Sequence, residues 1–176
     1  MSKAGVFEEL RNSVLSMDAD VMMSIVKRAL SEGISPVDIL DEGLARGLRD
    51  VGRKFEEGES FLIELVMAAE MAQRVIKEML QPEILRRKVE RKSLGKVVLG
   101  TVEGDIHDIG KNIVSAMLFA AGFEVYDLGV DVPTSEFIEK AREINADVVG
   151  ASALLSTTKT VQKDIVEAFV KEGMRD

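Results

Sequence analysis

The chain has 176 residues, a formal charge of −8 and no cysteine. That length can bury the core of one large domain or two small ones, while the missing cysteines exclude disulfides, thiolate nucleophiles, iron–sulfur clusters and cysteine zinc sites. The nearest thing to a basic stripe is Arg86-Arg87-Lys88 with Arg91-Lys92, too little against that negative balance for nucleic-acid binding to be the main role.

Nothing in the sequence suggests a membrane. No apolar run approaches the roughly 20 residues that span a bilayer. The opening Met1-Ser2-Lys3-Ala4-Gly5, followed by Glu8 and Glu9, lacks the apolar core of a secretion signal. The chain reads as cytoplasmic.

Residues 1 to about 90 carry a helical period. Val14, Met17, Val21, Met22, Ile25, Val26 and Ala29 recur at helical spacing. Ser35-Pro36 opens a further helix with Asp38 in its first turn, carrying Ile39, Leu40, Leu44, Leu48 and Val51 on one side. Gly43 and Gly47 on that helix read as a close helix-contact pair. After a break at Gly58, a helix from about Leu62 to Leu80 carries Leu65, Val66, Ala69, Ala72, Val75 and Ile76. Four helices with short breaks predict an antiparallel bundle over residues 1–82. Most of the methionines fall at core spacing and read as packing. Residues 83–95, with Glu83, Arg86, Arg87, Lys88, Glu90, Arg91 and Lys92, show no clear apolar face and read as a solvated linker.

Residues 96–176 alternate strand and helix. Val97–Val102 predicts a buried strand, Ile109–Ala121 a helix ending at Gly122, and Val125–Leu128 a second strand. A helix over Ser135–Ile144, a strand over Ala146–Ser152 and a helix over Thr158–Glu172 complete the pattern. This βαβαβα order predicts an α/β Rossmann-like (flavodoxin-like) parallel sheet with right-handed crossovers, preceded by the all-α four-helix bundle. Ligands bind such sheets at the carboxyl ends of the strands, where the polar loops 103–108 and 153–158 fall. The Gly-x-Gly-x-x-Gly spacing of a dinucleotide site is absent, which argues against Asp127 as a ribose-binding acid. Lys159 reads as solvent-facing.

His107 is the only histidine, in the run Glu103-Gly104-Asp105-Ile106-His107-Asp108-Ile109-Gly110-Lys111-Asn112. A lone histidine is ordinarily a packing or surface residue; this one lies in a loop at the ligand edge of the sheet. Asp105 and His107 flank one residue, so in an extended loop both side chains point the same way. A carboxylate bonded to one ring nitrogen makes the other a better metal donor. Gly110 leaves room for a flat ligand where the helix begins. With no second histidine or carboxylate cluster, the pattern suits a metal that arrives with most of its coordination sphere filled, as in haem or a corrinoid.

Asp105-Ile106-His107-Asp108-Ile109-Gly110 resembles the Asp-x-His-x-x-Gly signature of histidine-ligated cobalamin-binding domains. Ser152-Ala153-Leu154 resembles the same family's Ser-x-Leu motif. Phe55, Gly58, Phe61 and the Leu65–Ala72 helix resemble its helical cap, so the likeness covers nearly the whole chain. It is similar to the corrinoid proteins of one-carbon methyltransferase systems and to the cobalamin module of methionine synthase.

The resemblance implies a cobalamin or related corrinoid cofactor with His107 as the lower cobalt ligand, Asp105 accepting the ring's other proton, and Thr158 extending that proton-linked chain. Asp108, Ile109 and Gly110 join the cofactor-binding set; Ser152, Leu154 and Ser156 would line the slot for the nucleotide tail; Phe61, Ala68 and Met71 would shield the upper face, with residues 83–95 as hinge. It implies a methyl carrier, not catalytic alone. Its partners would be a substrate:corrinoid methyltransferase, a second methyltransferase serving tetrahydrofolate or coenzyme M, and a reductive activase. The methyl donor would be a small molecule such as a methylamine, methanol or an aryl methyl ether. A cobalamin-dependent sensor is the alternative, disfavoured because no output module stands in residues 1–90; a mutase subunit is disfavoured by the helical cap. Two departures stand out. Ile63 occupies the place of a family proline. The family's Gly-Gly motif after a later strand is missing, since the sequence stops at Gly173-Met174-Arg175-Asp176, which is expected to reflect truncation and to weaken cofactor affinity.

Overall fold

The computed structural model describes residues 2–89 and 92–175. Glu90 and Arg91 of the expected linker, and Asp176 at the chain end, lie outside the described residues. Two compact units divide the chain, Met1–Lys92 with Phe119–Gly122, and Ser93–Leu118 with Phe123–Asp176.

The first unit is helical. Its first two helices are α1 (Lys3–Leu15) and α2 (Ala19–Ser31). The helical-period run from Val14 to Ala29 is thus split between them. Met17 takes a left-handed φ of 54°, and Asp18 caps α2 by accepting the Val21 amide at 3.0 Å. A third rod joins α3 (Pro36–Asp38), a π-helical turn (Ile39–Leu44) and α4 (Ala45–Glu56). Pro36 sits in its first turn, where a missing N–H leaves no bond unmade. The fourth rod joins α5 (Leu62–Val75), a second π-helical turn (Ile76–Leu80) and α6 (Gln81–Arg87). The wide turn lies just before Pro82, which has no N–H to return to the carbonyl one turn back. The rod therefore runs past Leu80 to Arg87. Glu83 accepts from Arg86 at 2.7 Å and from Arg87 at 2.8 Å on this last stretch, and Lys88 ends it in the left-handed conformation.

The two glycines of the third rod are explained by contact. A Cβ at Gly43 would stand 2.5 Å from Leu10 Cδ2, and one at Gly47 would stand 2.8 Å from Val14 Cβ. Their absence lets α1 lie close against that rod, over a core that includes Val6, Leu10, Val14, Leu44 and Leu48.

The second unit runs β1 (Lys96–Thr101), α7 (Ile109–Ala121), β2 (Glu124–Asp127), α8 (Thr134–Ile144), β3 (Val148–Ser152) and α9 (Lys159–Lys171). The strands form a parallel sheet in the order β2-β1-β3. β1 is central and buried from Val97 onward, which is why it reads as a continuous apolar run. In register, Val97 pairs with both Val125 and Val148. Gly100 makes room for Phe137 of α8, whose Cζ would lie 2.6 Å from a Cβ there. Val98, Val102, Phe137, Ala141, Ile165 and Phe169 form the core. A further parallel bridge, Val102 to Val132, carries the pairing past the strand ends. It draws the loop after β1 alongside the loop after β2, which sets the frame of the site. Among the described residues no helix is long and apolar enough to cross a membrane.

Candidate functional site

The loop after β1 is tied down before it reaches His107. The Asp105 amide donates to the Val102 carbonyl at 3.1 Å, and the Asp131 amide to the Asp105 carbonyl at 3.0 Å. The Gly104 amide donates to Asp131 Oδ1 at 2.7 Å, with Gly104 at a φ of +80° that only glycine adopts readily.

Asp105 is the hub. Its side chain is fully buried, yet every contact on it is a donor. Oδ1 accepts the His107 amide at 3.0 Å and His107 Nδ1 at 2.7 Å. Oδ2 accepts the Thr158 hydroxyl at 2.6 Å and the amides of Leu154 at 2.9 Å and Leu155 at 3.3 Å. The Thr158 hydroxyl first, then the His107 amide, the His107 ring and the Leu154 amide, hold the carboxyl far below the usual carboxylate range, against the opposing effect of burial. An ionised carboxylate only accepts. Nδ1 of the neutral imidazole therefore carries the proton, and Nε2 presents its lone pair. The ring is anchored on one side and open on the other, with 46% of its side chain exposed.

Exposed apolar side chains stand near His107 in the two loops that meet at Asp105. Ile106, Ile109 and Leu154 are exposed, and a Cβ at Gly110 would meet nothing within 4 Å. Among the described residues no group of three His, Asp or Glu side chains could hold a bare metal ion. One well-oriented nitrogen beside an open apolar surface fits a metal carried in a planar macrocycle, with four of its positions already filled.

Comparison with known proteins agrees with that chemistry. One model described as a B12 binding domain matches residues 95–176, and a second so described matches residues 6–79. The chain is 44% identical to the dimethylamine corrinoid protein of Methanosarcina barkeri, over all of this chain and 81% of that one. It is 42% identical to trimethylamine corrinoid protein 1 of Methanosarcina acetivorans, over 99% of this chain and 81% of that one. The chain belongs to the B12-binding corrinoid proteins. Its cofactor is a corrinoid, and its place is in methyl transfer. This corrinoid protein is also similar in structure to the methanol:cobalamin methyltransferase complex from Methanosarcina barkeri, with a TM-score of 0.84 at 29% identity, over 99% of this chain and 66% of that one. Against the monomethylamine corrinoid protein of the same organism the TM-score is 0.60 at 35% identity, over 99% of this chain and 82% of that one.

The other expected site residues take varied positions in the corrinoid protein. Thr158 is buried directly before α9 and joins Asp105 and His107. Leu154 joins them through its amide while its side chain is exposed. Ser152 enters through its carbonyl, which accepts the Val102 amide at 3.0 Å; Ser156 is exposed on the same loop. Asp108 turns into the first turn of α7, where Oδ2 accepts from Asn112 Nδ2 at 3.1 Å. In the helical unit Phe61 is exposed, Met71 is partly buried and Ala68 is fully buried. Ile63 does not prevent the helix start, because the Glu64 carboxylate takes the Phe61 amide at 2.6 Å.

Sequence reasoning missed three supports. The amides of Leu154 and Leu155 leave no side-chain signature. The Thr101 hydroxyl donates to the His107 carbonyl at 3.2 Å, a contact that needs the loop to fold back on its strand. Lys111 is 5% exposed and donates to Asp127 Oδ2 at 2.5 Å. A lysine in the first turn of a helix, where the macrodipole disfavours cations, was its only advance signal. Asp127, at the surface end of β2, is thereby paired with a buried lysine.

Proposed function

We propose that this corrinoid protein receives a methyl group from a substrate:corrinoid methyltransferase and yields it to a second methyltransferase serving tetrahydrofolate or coenzyme M, with a reductive activase restoring the carrier. A bound corrinoid supplies the cobalt that takes up and gives up the methyl group. The dimethylamine and trimethylamine corrinoid proteins among its relatives favour a small methylamine as the donor.

The residues do the rest. His107 would offer Nε2 to the cobalt of a bound corrinoid. Asp105 holds the ring proton at Nδ1, which fixes the tautomer and raises the basicity of Nε2. Thr158 donates to Asp105 and helps keep it ionised, so hydroxyl, carboxylate and ring form one hydrogen-bonded chain that would hold the His107 proton at Nδ1 when a corrinoid is bound. Ser152, Leu154 and Ser156, at the end of β3 and in the loop after it, would hold the cofactor's nucleotide tail. Ile109 and Gly110 form the floor beside His107, with Asp108 fixing the turn between them. In the helical unit, the exposed Phe61 and partly buried Met71, backed by the buried Ala68, supply apolar side chains that would suit shielding a cobalt-bound methyl group from water.

The observation that carries this reading is the buried, ionised Asp105 gripping Nδ1 of a half-exposed His107. Reconstitution with hydroxocobalamin tests it. The wild-type protein is expected to retain cofactor through gel filtration with the absorption spectrum of a histidine-ligated corrinoid, and His107→Ala to retain it with an altered spectrum. Identical spectra would refute the ligand assignment.

A further inference from the structure

Asp105 restrains the imidazole, but a second set of contacts surrounds the backbone of His107. The Thr101 hydroxyl donates to the His107 carbonyl at 3.2 Å, and the Thr101 amide to the Gly129 carbonyl at 2.9 Å. The Gly129 amide donates to Asp127 Oδ1 at 2.9 Å. Lys111 Nζ donates to Asp127 Oδ2 at 2.5 Å and to Asn112 Oδ1 at 2.7 Å. Asn112 Nδ2 donates to Asp108 Oδ2 at 3.1 Å, and Asp108 follows His107 in the chain. The contacts close into a ring that starts and ends on the ligand's own peptide.

Stability alone does not explain the ring's central pair. The Lys111 side chain is 3% exposed, and it lies where the positive end of the α7 dipole disfavours a cation. Burying the lysine half of an ion pair costs desolvation that offsets much of the attraction. What the buried lysine does supply is a fixed register, because only one geometry satisfies its donors. Here the register fixed is that between the end of β2 and the residue after His107.

We propose that Lys111 and Asp127 are positioning residues for His107, closing a polar ring that holds its backbone still while the imidazole binds and leaves the metal. This rests on the reading of His107 as the cobalt ligand. The ring and Asp105 are separate restraints, one on the peptide and one on the side chain.

The test uses cobalamin-loaded protein reduced to cobalt(II), in which nitrogen coupling in the electron paramagnetic resonance spectrum reports the histidine-bound fraction. Lys111→Met, Asn112→Leu and Lys111→Arg are compared with wild type and His107→Ala. Asp127 is a third exposed, so it stays solvated when Lys111 is replaced; Asn112→Leu breaks the ring at a neutral link and leaves the ion pair intact. In both, the ratio of bound to free histidine is expected to fall about fivefold, the factor that about 1 kcal/mol represents, with thermal midpoints close to wild type. Lys111→Arg keeps the ion pair and is expected to recover the wild-type ratio. In the cofactor-free protein, amide exchange over residues 102–109 is expected to quicken in Lys111→Met and not in Lys111→Arg. Wild-type ratios in Lys111→Met and Asn112→Leu, with coupling lost in His107→Ala, overturn this proposal alone. A wild-type protein without nitrogen coupling overturns the ligand reading and this proposal with it.

Discussion

Replacing Gly47 by alanine sets two effects of known size against each other. In a helix interior, alanine is favoured over glycine by about 1 kcal/mol. At this position the new methyl would stand 2.8 Å from Val14 Cβ, 2.9 Å from its Cγ2 and 3.2 Å from its Cγ1. Carbon atoms at optimal separation lie roughly 3.5–4.0 Å apart. Val14 is fully buried on α1, and its Cβ moves only with the helix backbone, so relief needs the helix itself to shift. Overpacking costs about 1–3 kcal/mol; a clash with a backbone-bound atom belongs at the upper end. The expected net loss is about 2 kcal/mol once the propensity gain is subtracted. For a unit of this size that lowers the melting temperature by roughly 8–16 °C. Gly43→Ala provides the contrast. Its nearest neighbour is Leu10 Cδ2 at 2.5 Å, the far end of a flexible side chain, so its loss is expected to be about 1 kcal/mol or less. Thermal and urea unfolding of the intact chain, followed by circular dichroism, measure both. An unchanged or raised midpoint for Gly47→Ala, or a larger loss for Gly43→Ala, would refute the reasoning.

Three further outcomes follow from the site and its surroundings. Asp105→Asn keeps the shape but replaces an acceptor with a donor; His107 is expected to move its proton to Nε2, a change that nitrogen NMR of the cofactor-free protein would detect, and cofactor ligation should fail. Thr158→Val removes the largest cause of the lowered Asp105 value. Because that value is depressed in the fold, its stabilisation is complete above about pH 4 and is lost as pH falls below it; in Thr158→Val the carboxyl moves back toward the ordinary range, so acid unfolding is expected to begin at a higher pH than in wild type. Glu83 is held down to about 2, first by its hydrogen bond from Arg86, and an NMR titration of its carboxyl should give that midpoint in wild type and a higher one in Arg86→Ala.

Much of this was legible in the residues. The switch from helical period to strand–helix alternation near Lys96 was clear because the two periods differ so strongly. Gly43 and Gly47, one turn apart, announced a close helix contact. Boundaries were harder where local chemistry competes with period. Met17 and Asp18 break a run that looks continuous by apolar spacing, because one left-handed residue and one capping carboxylate suffice to start a new helix. At the other end of the unit, a wide turn ahead of Pro82 lets the helix go on into a stretch with no apolar face, held by the pairs of Glu83 with Arg86 and Arg87.

The sequence by itself singled out three side chains that the structure joins by hydrogen bonds: His107, the Asp105 two residues before it, and the hydroxyl of Thr158. Residue type and short spacing carry that information for Asp105 and His107, because metal donation and proton acceptance are properties of the side chains themselves; Thr158, 53 positions from Asp105, came from the family resemblance alone. Only the tertiary structure decided how those groups are held. The amides of Leu154 and Leu155 reach Asp105 from a loop some fifty positions away in the chain, and Asp127 at the end of β2 meets Lys111 in the first turn of α7. Backbone donors carry no residue identity, and the Lys111–Asp127 pair depends on how α7 packs beside the end of β2, so neither can be read before the elements are side by side.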